Sequence, residues 1–414
     1  MTSSTVDKAA DSTPDAGDPI ALDPASAEFA ALLERIAEGA SDRERDRVNP
    51  HEQIAWLKQA GVGSLRLGPA YGGAGCTLRQ LLEVVIRIAR ADANIAHALR
   101  SHFLVTEGRL HLAADPWLLA AARGELFGIA TAEATTARID SRDYRTTLRR
   151  HGDGWLLDGE KIYSTGTIFA DWIQVPASTE DGTVRFAFVQ HDADGVEHRD
   201  DWDGIGQRLT GSGTTIFRRV AVPDEHTLPA ELGLPETAES PGYRGAFAQL
   251  YLQAVLAGIV AASADSVAEV IRGRRRTFSH ASATTAAEDP LIQHIAGQID
   301  SFAFAARATV LLAADTLDAA AAGTGGDGRS DADLVHDAAL DVARTKPVVE
   351  GLAQRAATLL FEAGGASTAT VRQNLDRHWR NARTVSSHNP TVFKTRAVGD
   401  HLVNGTRLPG NGFF

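Results

Sequence analysis

The chain has 414 residues, a formal net charge of −12 and one cysteine. That length suits two or three domains around a large buried core, since ordinary domains run to roughly 100–200 residues. The acidic balance, with no basic run longer than RGRRR at 272–276, excludes a broad nucleic-acid footprint, and the lone Cys76 excludes an internal disulfide.

The opening MTSSTVDKAADSTPDAGDP lacks a basic segment followed by an apolar one, so a cytoplasmic location is expected, and residues 1–22 predict a disordered tail. Asp23-Pro24 predicts the first helix start, followed by Phe29, Leu32, Leu33 and Ile36 at helical spacing. Asn49-Pro50 with Glu52 predicts a second capped start, and Leu81, Leu82, Val85 and Ile88 mark one face of a third helix over 77–92. Residues 23–127 thus form an N-terminal helical domain. FGIATA, YRTTLRR, WLLDGEKIYS, WIQVPAS, VRFAFVQ and TIFRRVAV then predict strands of a middle, β-barrel-like domain over 128–235. From 236 to 414 the pattern is helical again, in segments of 20–30 residues interrupted by GTGGDGRSDAD at 323–333. The fold class is therefore α+β, mostly α. The longest apolar stretch, LYLQAVLAGIVAASA at 250–264, carries a glutamine and is shorter than the ~20 residues a bilayer requires, so no membrane span is expected.

The chain has no phosphate loop, nucleophile elbow, H-E-x-x-H or Cys/His cluster, so no metal site is expected. His97 and His102, five residues apart on a presumed single helix, point in different directions and cannot share a metal. GPAYGGAGC at 68–76 follows no strand and predicts a tight connection between helices. EKIYSTGTIFADWI at 160–173 is a strand ending in short hydroxyls and free amides, groups that can bind the polar edge of a flat heterocycle or simply cap a turn. Residues 361–390 combine a glycine turn with Arg372, Arg377, Arg380 and Arg383, and end in RTVSSHNP, which holds an imidazole but no carboxylate.

Taken together, AYGGAG, GEKIYSTG, DGIGQRLTGSG and RGRRRTF resemble the acyl-CoA dehydrogenase superfamily over residues 24–405. KIYSTG with ADWI, DDWDGIGQRLTGSG, NLDRHWRNARTVSSHNP and KTRAVGDHLVNGT are most similar to its flavin-dependent monooxygenase branch, which includes dibenzothiophene monooxygenases and sulfur-assimilation enzymes. The resemblance implies a helical domain, a β-domain and a C-terminal four-helix bundle. It also implies a two-component enzyme that takes reduced FMN from a separate NAD(P)H-dependent flavin reductase. Through a flavin C4a-(hydro)peroxide that enzyme would oxygenate a small molecule, an organosulfur compound being the leading class. FAD in place of FMN, an acyl-CoA dehydrogenase or oxidase, and a non-catalytic flavin-binding or scaffold protein are the alternatives.

By the same resemblance His388, Ser164 and His102 form the catalytic set: His388 as acid/base where dehydrogenases keep a glutamate, Ser164 at the flavin N5 edge, His102 near the substrate. Tyr163, Ser164, Thr165 and Trp202 would line the flavin. Arg275, Gly364, Gly365, Arg372 and Arg380 would hold its phosphate end across a subunit boundary, in a homotetramer. Ala366 stands where the branch often has a basic residue, and ATAEATTARID at 130–140 departs from its usual counterpart.

Overall fold

The computed structural model describes residues 22–112, 114–134, 143–233, 242–323, 330–412 and 414. The expected tail, the later part of the divergent 130–140 segment and most of the 323–333 linker lie outside the described residues.

The first layer is helical: α1 (Ala27–Ala37), α2 (Ala40–Asp46), α3 (His51–Gln59), α4 (Leu78–Ala91), α5 (Ala93–Ala98), α6 (Arg100–Glu107) and α7 (Pro116–Ala122). Thr77 and Gln80 form a reciprocal capping box at α4, satisfying two of the amides that a helix start leaves unpaired. The predicted starts differ in detail. Ser26, not Asp23, caps α1 through the amide of Phe29, and α3 begins after Pro50 with no side-chain cap from Asn49. The glycine-rich 68–76 stretch is a connection between α3 and α4 holding one short turn of helix at Pro69–Tyr71.

The sheet follows: β1 (Phe127–Ile129), β2 (Thr147–His151), β3 (Gly154–Lys161), β4 (Trp172–Thr179), β5 (Val184–Gln190), β6 (Val196–Arg199), β7 (Thr214–Pro223) and β8 (Thr227–Pro229). Their order is β6-β7-β3-β2-β4-β5-β8, with β1 added parallel to β4. A bulge between Leu157 and Gly159 bends β3 against β7, and Gly159, at φ 154°, presses on Thr146 where any side chain would collide.

The third layer comprises α8 (Ala230–Gly233), α9 (Tyr243–Gly273), α10 (Pro290–Ala321), α11 (Asp331–Gly364), α12 (Arg377–Ser386) and α13 (Thr391–Asn404). Three long helices, α9, α10 and α11, pack on one another, while the expected fourth is divided between α12 and α13. The helix α9 is 31 residues long and apolar enough to pass for a membrane span, beyond the 15-residue stretch visible in the sequence. It is instead the core helix, with Ala254, Val255, Leu256, Ala257 and Val260 wholly buried. Gly258 lets α4 approach α9 so closely that a Cβ there would strike the Ile86 carbonyl and Ala89. This contact joins first and third layers into one apolar core, which positions α5, α6 and α12 around the sheet rim.

Candidate active site at the sheet rim and the end of α12

After β3 the chain turns sharply: Tyr163 takes φ 53° and Gly166 φ 83°. Left-handed backbone is unusual for tyrosine, and at Gly166 a side chain would collide with the Ala98 carbonyl at the end of α5. The rim is tied down by Ser164 N–H donating to Gly213 O at 3.1 Å, Gly166 N–H to Thr210 O at 3.0 Å, and the Ser101 hydroxyl to Thr165 O at 2.8 Å. Tyr163 is 61% exposed and stands edge-on to Trp202, ring centres 5.9 Å apart. Trp202 donates its indole N–H to Gln207 O at 2.9 Å.

A chain of hydroxyls runs inward from the rim. Thr165 Oγ1 and Ser212 Oγ are 2.7 Å apart, Ser212 Oγ and Thr210 Oγ1 2.7 Å, and Thr210 donates to Gln207 O at 3.0 Å. The Gln207 side chain completes the path, its Oε1 lying 3.0 Å from His97 Nδ1. Gln207 is strained at φ 52°, and its buried Nε2 has no partner among the described residues. Ser164, assigned from resemblance to the flavin edge, is instead fully buried, its hydroxyl 3.5 Å from Lys161 O. The hydroxyl facing the rim is that of Thr165.

The two first-domain histidines separate because the helix breaks at Leu99 between α5 and α6. His102 is spent on structure: Nε2 donates to Gly63 O at 2.8 Å and Nδ1 accepts from Phe127 N–H at 3.3 Å. Both of its ring nitrogens are therefore engaged by backbone. Burial, and for His97 the nearby Arg100 charge, push both imidazoles down to about 4 from 6.5. His97 is also one of the groups that bear electrostatically on His388.

His388 lies two residues beyond α12, its N–H donating to Val385 O at 3.2 Å. It lines a cavity of about 510 Å³ with Asn389, Pro390, Phe393 and Arg396, and water reaches its ring. The surrounding protein, then the charges of Arg100, His97 and Lys346, hold its proton affinity well below the usual imidazole range. At pH 7 it is therefore neutral and able to accept a proton. On its inner side Asn389 Nδ2 donates to Gln249 Oε1 at 3.5 Å, Arg100 Nε and Nη2 donate to Ala248 O at 3.2 Å each, and Lys346 Nζ donates to Ser386 O at 3.3 Å.

Of the expected phosphate-binding residues, Arg275 follows Arg274, which donates to the Ala363 carbonyl at 2.8 Å next to Gly364 and Gly365, while Arg380 lies on α12. Arg380 is engaged within the chain by Glu44 at 2.6 Å, Asp376 at 2.7 Å and Asn374 at 2.7 Å, so it ties α12 to α2. Arg275 and Arg372 are exposed, and Gly364 and Gly365 end α11, Gly365 at φ 66°. Arg275 lies beyond Gly273, which is roughly 36 Å along α9 from Gln249 at ~1.5 Å per residue.

A stability consequence arises from the buried imidazoles. Above pH 6.5 both folded and unfolded chains hold them neutral. Below it the unfolded chain binds protons that folded His97 and His102 refuse until about pH 4. Unfolding free energy is expected to drop as pH falls through this window, by up to roughly 3 kcal/mol per histidine. Urea midpoints from pH 7 to 5 measure it, and His102→Gln should flatten the slope; an unchanged slope would remove His102 as its source.

The model of the acyl-CoA dehydrogenase middle domain matches residues 128–220, and that of the acyl-CoA dehydrogenase C-terminal domain matches residues 250–393. A probable FMNH2-dependent monooxygenase, SfnC of Pseudomonas putida, is 29% identical over 94% of this chain and 97% of its own. A dibenzothiophene monooxygenase of Rhodococcus erythropolis is 29% identical over 92% and 93%. Among solved structures, methanesulfinate monooxygenase MsuC from Pseudomonas fluorescens superposes with a TM-score of 0.80 at 26% identity, covering 93% of this chain and 98% of that one. TdsC from Paenibacillus sp. A11-2, in complex with FMN and indole, shares the fold at TM-score 0.81 and 24% identity, over 94% and 100%. Since the two domain models cover the sheet and the long-helix layer, and the relatives run the length of the chain through the first helices, this protein belongs to the acyl-CoA dehydrogenase superfamily.

Proposed function

We propose that the chain is the oxygenase of a two-component system, receiving reduced FMN from a separate NAD(P)H-dependent reductase and oxygenating an organosulfur compound. The observation that carries this reading is the imidazole of His388 just beyond α12, neutral at pH 7, where the neighbouring Asn389 meets Gln249 of α9 at 3.5 Å. A dehydrogenase must remove a proton from carbon; among the described residues the carboxylate lining the His388 cavity is Asp400, which accepts from Asn404 Nδ2 at 2.8 Å and Thr406 Oγ1 at 3.3 Å. The nearby Glu350 is committed to Lys346 at 3.8 Å and Arg383 at 3.5 Å. SfnC and MsuC, both named as monooxygenases, favour the same chemistry.

The rim suits a flavin. Tyr163 and Trp202 offer an exposed aromatic edge for a flat ring, Thr165 a hydroxyl, and Gln207 an unused buried N–H. Bound reduced FMN would supply the two electrons by which one oxygen atom of O2 enters the substrate and the other leaves as water. The protein's part is to orient both reactants, keep bulk water out and accept or return a proton at His388. The separation of Arg275 from His388 favours a phosphate site completed by a second copy. The outward apolar residues of α10, Leu291, Phe304 and Leu312 at 67%, 74% and 65% exposure, favour association too, with a homotetramer as the expected form.

The test is a coupled reaction with a flavin reductase, NADH and FMN under isotopically labelled O2, with organosulfur, amine and indole compounds scored by mass spectrometry. One labelled oxygen atom in an organosulfur product is the expected result. Complete recovery of O2 as hydrogen peroxide with every compound would overturn the reading.

A further inference from the structure

Arg100 opens α6 beside the His388 cavity, and its surroundings are incomplete. Its Nε and Nη2 share a single acceptor, the Ala248 carbonyl, and no carboxylate pairs with it among the described residues. Burial, then the nearby Arg244, lower its proton affinity to about 10, still far above neutrality, so the half-buried guanidinium is charged. A charge partly withdrawn from water is costly without a partner, and such groups are normally matched by a counter-ion.

The neighbouring polar groups lack partners in the same way. The register of α9 against α12 is fixed by Ser266 with His378 at 2.9 Å and by Gln249 with Asn389 at 3.5 Å. Within that seam Gln249 Nε2, both ends of the Gln253 amide and Ser386 Oγ make no hydrogen bond among the described residues, although Gln249, Gln253 and Ser386 are 2%, 0% and 1% exposed. Gln253 is one turn from Gln249 on the same face of α9. Lys346, also buried, donates to the Ser386 carbonyl and shares its charge with Glu350 at 3.8 Å. This corner collects cations and unused N–H and O–H donors inside a chain whose net charge is −12.

We propose that this corner binds the anionic headgroup of the substrate, so that the enzyme acts on a small organic oxyanion of the sulfinate or carboxylate kind, with Arg100 as its anchor. The inference rests on the oxygenase reading only for the claim that the bound anion is the substrate; the anion site itself stands on the geometry. An oxyanion offers Arg100 the acceptor it lacks and gives the Gln249, Gln253 and Ser386 donors a shared partner, while neutral sulfides and sulfones of the same size leave the guanidinium unpaired.

The experiment is titration calorimetry of the FMN-loaded protein with methanesulfinate and, as a neutral match, dimethyl sulfone. Wild type is expected to bind methanesulfinate and to ignore the sulfone. Arg100→Gln should weaken sulfinate binding about 10- to 100-fold, and Arg100→Lys should restore part of it. Equal binding of the two probes by wild type would overturn the proposal, whether or not the variants fold. So would an Arg100→Gln protein that binds sulfinate normally, or one that loses FMN by the same factor, which would assign Arg100 to the flavin. The two readings fail separately. Sulfinate binding without any oxygenated product leaves the anion site standing and removes the oxygenase, whereas labelled product from neutral sulfides with no sulfinate preference does the reverse.

Discussion

His388→Ala is expected to lower oxygenated product by roughly 10²–10⁴ in rate, the usual range for a lost general acid or base, while reduced flavin continues to be consumed. Hydrogen peroxide should account for the missing oxygen. The expectation follows from position and charge state. The imidazole lies at the junction of a water-accessible cavity and a cationic corner, and desolvation on its protein side together with Arg100 and Lys346 keeps it unprotonated at neutral pH. A neutral imidazole accepts a proton and returns it without leaving a fixed negative charge beside an electron-rich ring, which a carboxylate would do. His388→Gln separates proton transfer from shape, because it retains a donor and an acceptor but does not titrate. Both variants should bind FMN as wild type does in fluorescence titrations. Product per reduced flavin equal to that of wild type in His388→Ala would take the residue out of the chemistry.

Much of this arrangement was legible in the sequence, and what was not has specific physical causes. The helix–sheet–helix order follows from hydrophobic period, and five of the expected strands coincide closely with β2, β3, β4, β5 and β7. The short strands β6 and β8 carry too few residues to show alternation, and they are strands because β7 and β5 are there to pair with them. Ser164 and Thr165 are adjacent hydroxyls that sequence cannot rank; the positive φ of Tyr163 decides which turns inward. His97 and His102 read as one helix because Leu99 carries no breaking signal, so the sequence does not show that they face different neighbours, Gln207 for His97 and the Gly63 carbonyl for His102. Arg380 illustrates the general limit. A run of arginines resembles a phosphate site until Glu44, 336 residues away in the chain, proves to be its partner. Arg100 and Gln207 had no local pattern to mark them, since their significance lies in partners they lack.

Glu133→Ala is expected to destabilise the protein by about 3–5 kcal/mol, because it strands a buried ammonium. Lys161, the last residue of β3, is completely inaccessible, and its Nζ lies 2.7 Å from Glu133 Oε1 and 4.2 Å from the centre of the Tyr144 ring. Burial brings its proton affinity down to about 8 while the carboxylate opposes the fall, so at neutral pH it remains charged and dependent on Glu133. The carboxylate also accepts from Arg145 N–H, Thr146 N–H and the Thr146 hydroxyl, fastening the segment after β1 to the start of β2. Because Lys161 precedes Tyr163 by two residues, loss of this clamp should loosen the rim as well as the sheet, raising the dissociation constant for FMN along with the loss of stability. Replacing both partners, Glu133→Leu with Lys161→Met, removes the stranded charge and should recover most of the denaturation midpoint, while the backbone donors of Arg145 and Thr146 stay unmet. Urea unfolding of the single and double variants decides the matter: a Glu133→Ala midpoint within error of wild type would show that the Lys161 charge is held by something other than this carboxylate.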